Sequence, residues 1–237
     1  MTGKSELAAN RLLALLPHRE LRELQQHLQP YQLVQQKVLH EPLEPIHEVH
    51  FITRGVVSLV KDLDDGETIE VATVGPEGMI GTTLALGTQS SDQRAIVQVP
   101  GEALYMKASA FKAIIKASPK LQNVIMRYTV ALLNQVAQSA ACNRVHTVDE
   151  RCARWLLMTH DRVKSDKFPL TQEFLGQMLG VHRPTISVAA AMLQKAGYIH
   201  YVRGIITIED RKGLEKASCG CYRAISKEYD RLLNGAR

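Results

Sequence analysis

The sequence contains little cysteine, few aromatic residues and no long apolar run. Four cysteines in 237 residues are too few and too irregularly placed for a disulfide framework, and they do not form the pattern of a structural zinc site. No apolar run approaches the roughly 18 residues that a membrane-spanning helix needs, and the first twenty residues lack the apolar block of a signal peptide. We therefore expect a cytoplasmic protein without membrane contact.

The net charge of +5 is unevenly distributed along the chain. Residues 1–140 contain 13 Lys/Arg and 14 Asp/Glu, whereas residues 141–237 contain 16 and 10. The basic excess therefore belongs to the C-terminal part, as expected if that part faces a polyanion such as DNA.

The segment from Tyr31 to Lys107 is typical of short β-strands separated by turns. The turn Asp64-Asp65-Gly66 lies between the alternating runs VVSLVKDL and ETIEVATV, and its glycine supplies the positive φ of a tight hairpin. Short strands without long helices between them predict an antiparallel barrel or sandwich. We expect a small β domain, preceded by a helical N-terminus around residues 5–28.

A long helix is predicted from about Pro119 to Ala141, where glycine and internal proline are absent and apolar residues recur with helical spacing. This stripe suits a parallel pair of helices, so we expect a homodimer, although a helix that packs only against its own chain would show a similar pattern. The residues expected at the dimer interface are Leu121, Ile125, Tyr128, Leu132 and Val136.

The strongest pattern is a helix-turn-helix that follows a further helix over residues 147–163. Thr171 is a natural N-cap, Gly180 suits the end of the first helix, and Pro184 suits the first turn of the second. One face of the second helix remains available for the major groove of DNA. Two short strands around Arg203-Gly204 then predict the wing of a winged helix, from which Arg203 can reach a phosphate.

Residues from about 30 to 217 resemble the Crp/Fnr family of regulators, most specifically in TVDERCARWLL and TQEFLGQMLGVHRPTISVAAAMLQKAGYI. The resemblance implies an α+β fold: an N-terminal antiparallel β-roll of the cyclic-nucleotide-binding type, a long dimerisation helix and a C-terminal winged helix-turn-helix. The implied divisions are a sensor-like domain at 1–117, the dimer helix at 118–142, the DNA-binding domain at 143–217 and a C-terminal helix at 218–237.

The resemblance also implies a function. We expect a transcription regulator that binds a two-fold symmetric operator in double-stranded DNA as a homodimer, with RNA polymerase as a protein partner. No Ser/His/Asp, Cys/His or paired-carboxylate arrangement has the context that catalysis needs, so the protein is not expected to be an enzyme.

By position, the resemblance assigns DNA contacts to particular residues. Where family members read bases, this chain has Arg183, Pro184, Ser187 and Val188. Where they hold phosphates, it has Thr171, His182 and Thr185. Arg183 is the expected base reader because a guanidinium can bond both O6 and N7 of guanine, and a phosphate contact is its alternative role.

The β domain departs from the cyclic-nucleotide site of that family. The family binds the nucleotide with a Phe-Gly-Glu loop and an Arg-Ser/Thr-Ala segment, but the aligned stretches here are Ile80-Gly81-Thr82 and Gln93-Arg94-Ala95. The ribose carboxylate and the phosphate arginine are missing in this alignment, and Arg94 should face away from the pocket if Gln93 faces into it.

We therefore expect a degenerate sensor domain whose effector is unknown. Two alternatives stay open: an activator gated by cyclic AMP, and a ligand-binding module that acts on a protein partner and contacts DNA only non-specifically.

No cofactor and no metal site are predicted. Cys142 and Cys152 are expected to be buried small apolar residues. Cys219 and Cys221 are candidates for a thiol switch or a metal contact, but no other ligand is near them in sequence, so ordinary reduced cysteines are preferred. Three histidines without ligand spacing are expected to be surface or hydrogen-bonded residues: His40, His47 and His50.

Overall fold

The computed structural model describes residues 4–64 and 66–234. Its helices are α1 (Lys4–Ala9), α2 (Arg11–Ala14), α3 (His18–Gln25), α4 (Ala108–Ala117), α5 (Pro119–Val145), α6 (Val148–Val163), α7 (Gln172–Leu179), α8 (Arg183–Lys195), α9 (Arg211–Ala217) and α10 (Cys221–Asn234). Its strands are β1 (Gln29–Leu33), β2 (Val38–His40), β3 (Glu48–Asp62), β4 (Thr68–Val74), β5 (Met79–Ile80), β6 (Arg94–Lys107), β7 (Lys167–Pro169), β8 (Ile199–Val202) and β9 (Ile205–Ile208). A short 3₁₀ helix spans Thr82–Leu86.

Within the described chain, the first six strands form one antiparallel sheet. Strands β1, β6, β3 and β4 are successive neighbours, while β2 also pairs with β6 and β5 with β3. The predicted hairpin joins β3 to β4 across residues 63–67, although its central Asp65 lies outside the described residues. The predicted α+β fold with an antiparallel N-terminal sheet is confirmed.

Strands β3 and β6 are longer than the sequence pattern predicts. Each is one strand, of 15 and 14 residues, whereas the separate runs HFITRG and VVSLVKDL predict two short strands in place of β3, and RAIVQV and EALYMK predict two in place of β6. The expected break in β3 is a bend at Gly55, which has a φ of 95°, and a Cβ there would lie 2.7 Å from the carbonyl oxygen of Val99. Glycine therefore lets the two strands approach closely and curve without ending.

The long helix α5 extends one turn beyond its predicted end. Ser118 is its N-cap, whose side-chain oxygen accepts a hydrogen bond from the backbone N–H of Leu121, and Pro119 lies in the first turn. The helix packs against β4, the 3₁₀ helix and α10. It therefore covers the sheet on one side and the C-terminal helix on another.

Three of the five predicted dimer-interface residues are fully buried within their own chain. Leu121, Ile125 and Tyr128 have no exposed surface, and the Tyr128 hydroxyl donates a hydrogen bond to the carbonyl oxygen of Met79 at 3.3 Å. The prediction that they meet a partner is wrong, because a side chain enclosed by its own sheet offers nothing to a second chain. Leu132 and Val136 are half-buried, and their role at an interface stays a prediction.

The C-terminal domain follows the local signals in its sequence. Helix α6 begins with a reciprocal capping box between Thr147 and Glu150. The Thr171 side chain caps α7 by accepting a hydrogen bond from Phe174, and Gly180 ends that helix with a φ of 62°. The arrangement of α7 and α8 is the predicted helix-turn-helix.

The wing is a three-stranded sheet in the order β7-β9-β8. Arg203 and Gly204 form the tip of the β8–β9 hairpin, as predicted. Strand β7 is not predicted, because three residues that end in proline give too short a pattern to recognise at a sheet edge.

No helix among the described residues has the length and apolar character to cross a membrane.

Candidate functional site

The inner and outer faces of α8 differ in burial. Ile186, Ala189 and Leu193 are buried, and the helix packs against α6 and α7. The predicted DNA-contact residues on the outer side are exposed: Thr171, His182, Arg183, Pro184, Thr185, Val188 and the wing residue Arg203. The structure therefore brings these side chains to the outside of one domain, around the start of α8.

The first turn of α8 has the electrostatics of an anion-binding site. His182 and Arg183 lie where the unpaired backbone N–H groups and the positive end of the helix dipole favour a phosphate. Ser187 is half-buried, and its hydroxyl donates a hydrogen bond to Oε1 of Gln172 at 2.7 Å. Gln172, which no sequence pattern indicates, therefore links α8 to the start of α7.

Two apolar side chains project from the middle of α8. Val188 is 61% exposed and Met192 is 55% exposed, one helical turn further along the same face. Apolar groups in this position can contact the methyl group of thymine in the major groove. Met192 is therefore an additional candidate contact, not among the predicted residues, although its spacing of four residues from Val188 places it on the same helix face.

The predicted ligand-pocket residues divide into two groups. Ile80, Gly81, Thr82 and Gln93 line one cavity of about 40 Å³, together with His40 and Leu132 of helix α5. A ligand pocket typically has a volume of about 300–1,000 Å³, so this cavity cannot hold a nucleotide without rearrangement. Arg94 and Ala95 are not part of its lining, and Ala95 is fully buried between β2 and β3.

The Arg94 side chain is engaged away from the cavity. Its guanidinium forms ion pairs with Asp62 and Glu41, the second with 3.5 Å between Nε and Oε2. The hydrogen bond from Arg94 holds the pKa of Asp62 below its ordinary value. The Arg94 guanidinium is therefore neutralised by two carboxylates, and its side chain does not line the cavity.

The three N-terminal histidines do not converge on one site. His40 lines the small cavity and His47 is exposed. His50 is buried between the rings of Tyr31 and Tyr105, with centroids at 4.7 and 6.0 Å, and burial lowers its pKa to about 4. Neither ring nitrogen of His50 has a hydrogen-bond partner among the described residues, so its expected surface or hydrogen-bonded role is wrong.

Both halves of the chain match known domain families. Residues 32–118 match the cyclic nucleotide-binding domain, and residues 150–217 match the Crp-like helix-turn-helix domain. The chain belongs to the Crp/Fnr family. It is a DNA-binding transcription regulator with a cyclic-nucleotide-binding-like sensor domain, as its sequence predicts, and the family is not one of enzymes.

Individual relatives of this Crp/Fnr regulator are distant. The CRP-like cAMP-activated global transcriptional regulator of Mycobacterium tuberculosis is 24% identical over 202 residues, which cover 81% of this chain and 89% of that protein. The structure of FixK2 from Bradyrhizobium japonicum has a TM-score of 0.69 at 19% identity, and covers 81% of this chain and 98% of that one. The c-di-GMP responsive global regulator CLP of Xanthomonas campestris has a TM-score of 0.66 at 14% identity, covering 81% and 99%.

A polar network joins the sensor domain of this Crp/Fnr regulator to α6 of its DNA-binding domain. Trp155 donates a hydrogen bond through Nε1 to Glu70 at 2.8 Å, and Ser58 donates one to the other oxygen of the same carboxyl at 2.7 Å. Burial raises the pKa of Glu70 to about 7.

A second contact of this interface is a buried ion pair. Nε of Arg162 on α6 lies 2.8 Å from Oε1 of Glu77, which follows β4. Arg162 also donates hydrogen bonds to the carbonyl oxygen of Met158 and to Gln135 of α5. These links between distant segments are not visible in the sequence, because no local pattern pairs a strand-end glutamate with a helical arginine 85 residues later.

Proposed function

We propose that this regulator binds a two-fold symmetric operator as a homodimer, with α8 of each chain in a major groove. The observation that carries the proposal is the exposed start of α8, where Arg183 and His182 lie beside exposed Pro184 and Val188 on a helix whose other face is buried. A recognition helix of the helix-turn-helix class reads bases with its first turns. RNA polymerase is the protein partner that this role implies.

A stripe on α5 supports the dimer. Met126, Val130 and Leu133 are 58%, 45% and 64% exposed, and Ala137 and Ala140 continue the same line toward the C-terminus. Their spacing alternates between four and three residues, which is the repeat of a two-helix coiled coil. An exposed apolar stripe of this kind is best explained by a second copy of α5.

The sensor domain is proposed to lack the family's phosphate contacts and to respond to an effector other than a cyclic mononucleotide, or to none. The small cavity, the neutral Gln93 in its wall and the outward ion pairs of Arg94 support this. The names of the relatives from M. tuberculosis and X. campestris give cAMP and c-di-GMP as their ligands, so proteins of this fold differ in effector.

Arg183→Ala is expected to weaken binding to the selected operator by about 1–3 kcal/mol and to relax preference at one base pair in each half-site. The reason is the loss of a bidentate contact to guanine. The measurement is selection of a binding sequence from random DNA with the wild-type protein, followed by fluorescence anisotropy on that sequence and on a scrambled one.

The matched control is Arg203→Ala in the wing, which is expected to weaken binding to both DNAs by a similar factor, since a phosphate contact carries no sequence information. If Arg183→Ala also weakens both DNAs equally, Arg183 is a phosphate contact. If the wild type selects no symmetric sequence and random DNA competes fully, the regulator acts through a protein partner instead, and the proposed operator is wrong.

Cyclic AMP and cyclic GMP are expected to give no saturable heat at micromolar concentrations in calorimetric titration. A cyclic phosphate brings a negative charge into a partly closed site, which is costly unless a positive group and N–H donors replace its water. Gln93 and Thr82 supply no such charge, and Arg94 is already paired. Low-micromolar binding of cyclic AMP that Arg94→Ala abolishes would instead support a cyclic-AMP-gated activator.

A further inference from the structure

Four side chains with metal-binding atoms converge where α5 ends and α10 begins. Cys142 lies in the last turns of α5, His146 follows that helix, Cys219 precedes α10, and Cys221 is its first residue. One sulfur or ring nitrogen from each lies within 4.8 Å of all the others. The cluster joins residues that are separated by up to 79 positions in the chain, so only folding brings them together.

The distances within the cluster suit a single tetrahedral ion. Sγ of Cys142 lies 3.5 Å from Sγ of Cys219, and Sγ of Cys221 lies 3.6 Å from Nδ1 of His146. Zinc binds thiolate sulfur at about 2.3 Å and imidazole nitrogen at about 2.0–2.1 Å, which places neighbouring ligand atoms of a tetrahedron about 3.5–3.8 Å apart. The four side chains are thus already close to the required arrangement.

The surroundings of the cluster carry positive charge that can balance bound thiolates. All three cysteines are buried and free, and Cys221 stands at the N-terminus of a 14-residue helix, whose dipole favours a negative charge. The buried guanidinium groups of Arg151 and Arg154 lie close enough to interact electrostatically with Cys142 and Cys219. Three thiolates, one neutral imidazole and a divalent ion would carry one negative charge, which these arginines can balance.

We propose that Cys142, His146, Cys219 and Cys221 bind one divalent metal ion of the zinc type. A closed set of three thiolates and one imidazole is a common structural zinc site, because it leaves no open position for a substrate or water. An iron–sulfur cluster would need its thiolates spread around several metal atoms. Four ligand atoms within 4.8 Å of one another leave room for one ion.

The ion would fasten the C-terminal helix to the junction between the two domains. Helix α10 packs along α5, and His146 lies between α5 and the first residue of α6. Gln138 supports the site from outside, since its Nε2 donates a hydrogen bond to Sγ of Cys221 at 3.1 Å. Ion binding would release the thiol protons and stabilise the folded arrangement of these three helices.

The test uses the full-length chain without a histidine tag, expressed in zinc-containing medium and purified with a reductant. Metal analysis by mass spectrometry is expected to find about one zinc ion per chain. Cys219→Ala and Cys221→Ala should lower the zinc retained against a chelator at least about tenfold, since even losing a group that hydrogen-bonds to a ligand weakens binding about 10–100-fold. Cys152→Ala is the matched control, because Cys152 is a buried free thiol outside the cluster.

Cobalt(II) titration of the metal-free chain gives an independent readout. The expected result is the intense visible absorption of a tetrahedral ion, with a sulfur-to-cobalt charge-transfer band that falls by about a third in Cys221→Ala as one of three thiolates is lost. Gln138→Ala retains all four ligands, so it keeps the spectrum while binding weakens about tenfold. This variant keeps the test valid if the cysteine variants fold poorly by circular dichroism.

Several results would overturn the proposal. One is equal zinc content in Cys219→Ala and the wild type. Another is several iron atoms and acid-labile sulfide per chain, which would identify a cluster instead. A third is the weak cobalt spectrum of an octahedral ion. A Cys142–Cys219 disulfide that persists in reductant, with no bound metal, would show that the pair is a redox couple.

Discussion

Replacing Glu77 with alanine is expected to lower the free energy of unfolding by about 3–5 kcal/mol, because the change leaves a buried charge without its partner. The Arg162 side chain is 8% exposed and that of Glu77 is 14% exposed, so the folded chain largely shields the pair from water. The remaining partners of Arg162, the Met158 carbonyl and Gln135, are neutral. Urea unfolding followed by circular dichroism measures the loss.

The control for this change is Glu102→Ala. Glu102 pairs with Arg54 at the same 2.8 Å distance, but the two side chains are 55% and 60% exposed. An exposed ion pair contributes about 0–1 kcal/mol, so this variant should unfold almost as the wild type does. Similar small losses in both variants would mean that the Glu77–Arg162 pair is as well solvated as a surface pair. The buried link between the two domains would then carry little of the stability.

The second large effect is expected from the double variant Val130→Glu with Leu133→Glu. These side chains lie on the exposed stripe of α5, and paired helices would place four added carboxylates against one another in an apolar seam. The chain should become monomeric in sedimentation velocity. Affinity for the symmetric operator should fall about a hundredfold or more, because the second half-site no longer benefits from a linked partner.

Val34→Glu is the matched control for the dimer test. Val34 is an equally exposed apolar residue, at 55%, but it lies outside α5 in the segment between β1 and β2. It should leave the dimer and the operator affinity unchanged. A wild-type chain that is itself monomeric at micromolar concentration would disprove the dimer. A double variant that remains dimeric would show that the chains pair through a surface other than the stripe on α5.

Much of the DNA-binding half could be predicted from the sequence, because interactions between residues close together in the chain determine it. The N-cap at Thr171, the left-handed end at Gly180 and the proline at the start of α8 act within a few residues, so their signals lie in the residues themselves. The capping box at Thr147 and the Arg203-Gly204 hairpin belong to the same class. The alignment around Gln93 and Arg94 could likewise be drawn from sequence, because strand neighbours point to opposite faces.

The sequence did not predict which apolar face of α5 packs against the sheet of its own chain. The helix carries one apolar line through Leu121, Ile125 and Tyr128 and another through Val130 and Leu133. Helical periodicity identifies such lines but does not say which one meets the same chain and which one is left exposed. That choice depends on how the β domain curves, and the curvature depends on contacts between strands that are distant in sequence.

The sequence therefore determined the class of protein and its DNA-binding helices, because each rests on neighbouring residues. Tertiary structure alone decided the Glu77–Arg162 contact and the meeting of Cys142 and His146 with Cys219 and Cys221. The spacing of these residues along the chain does not predict the contacts between them. They arise only when α10 returns to α5 and α6 docks on the sheet, since a fold places residues by packing and not by their order.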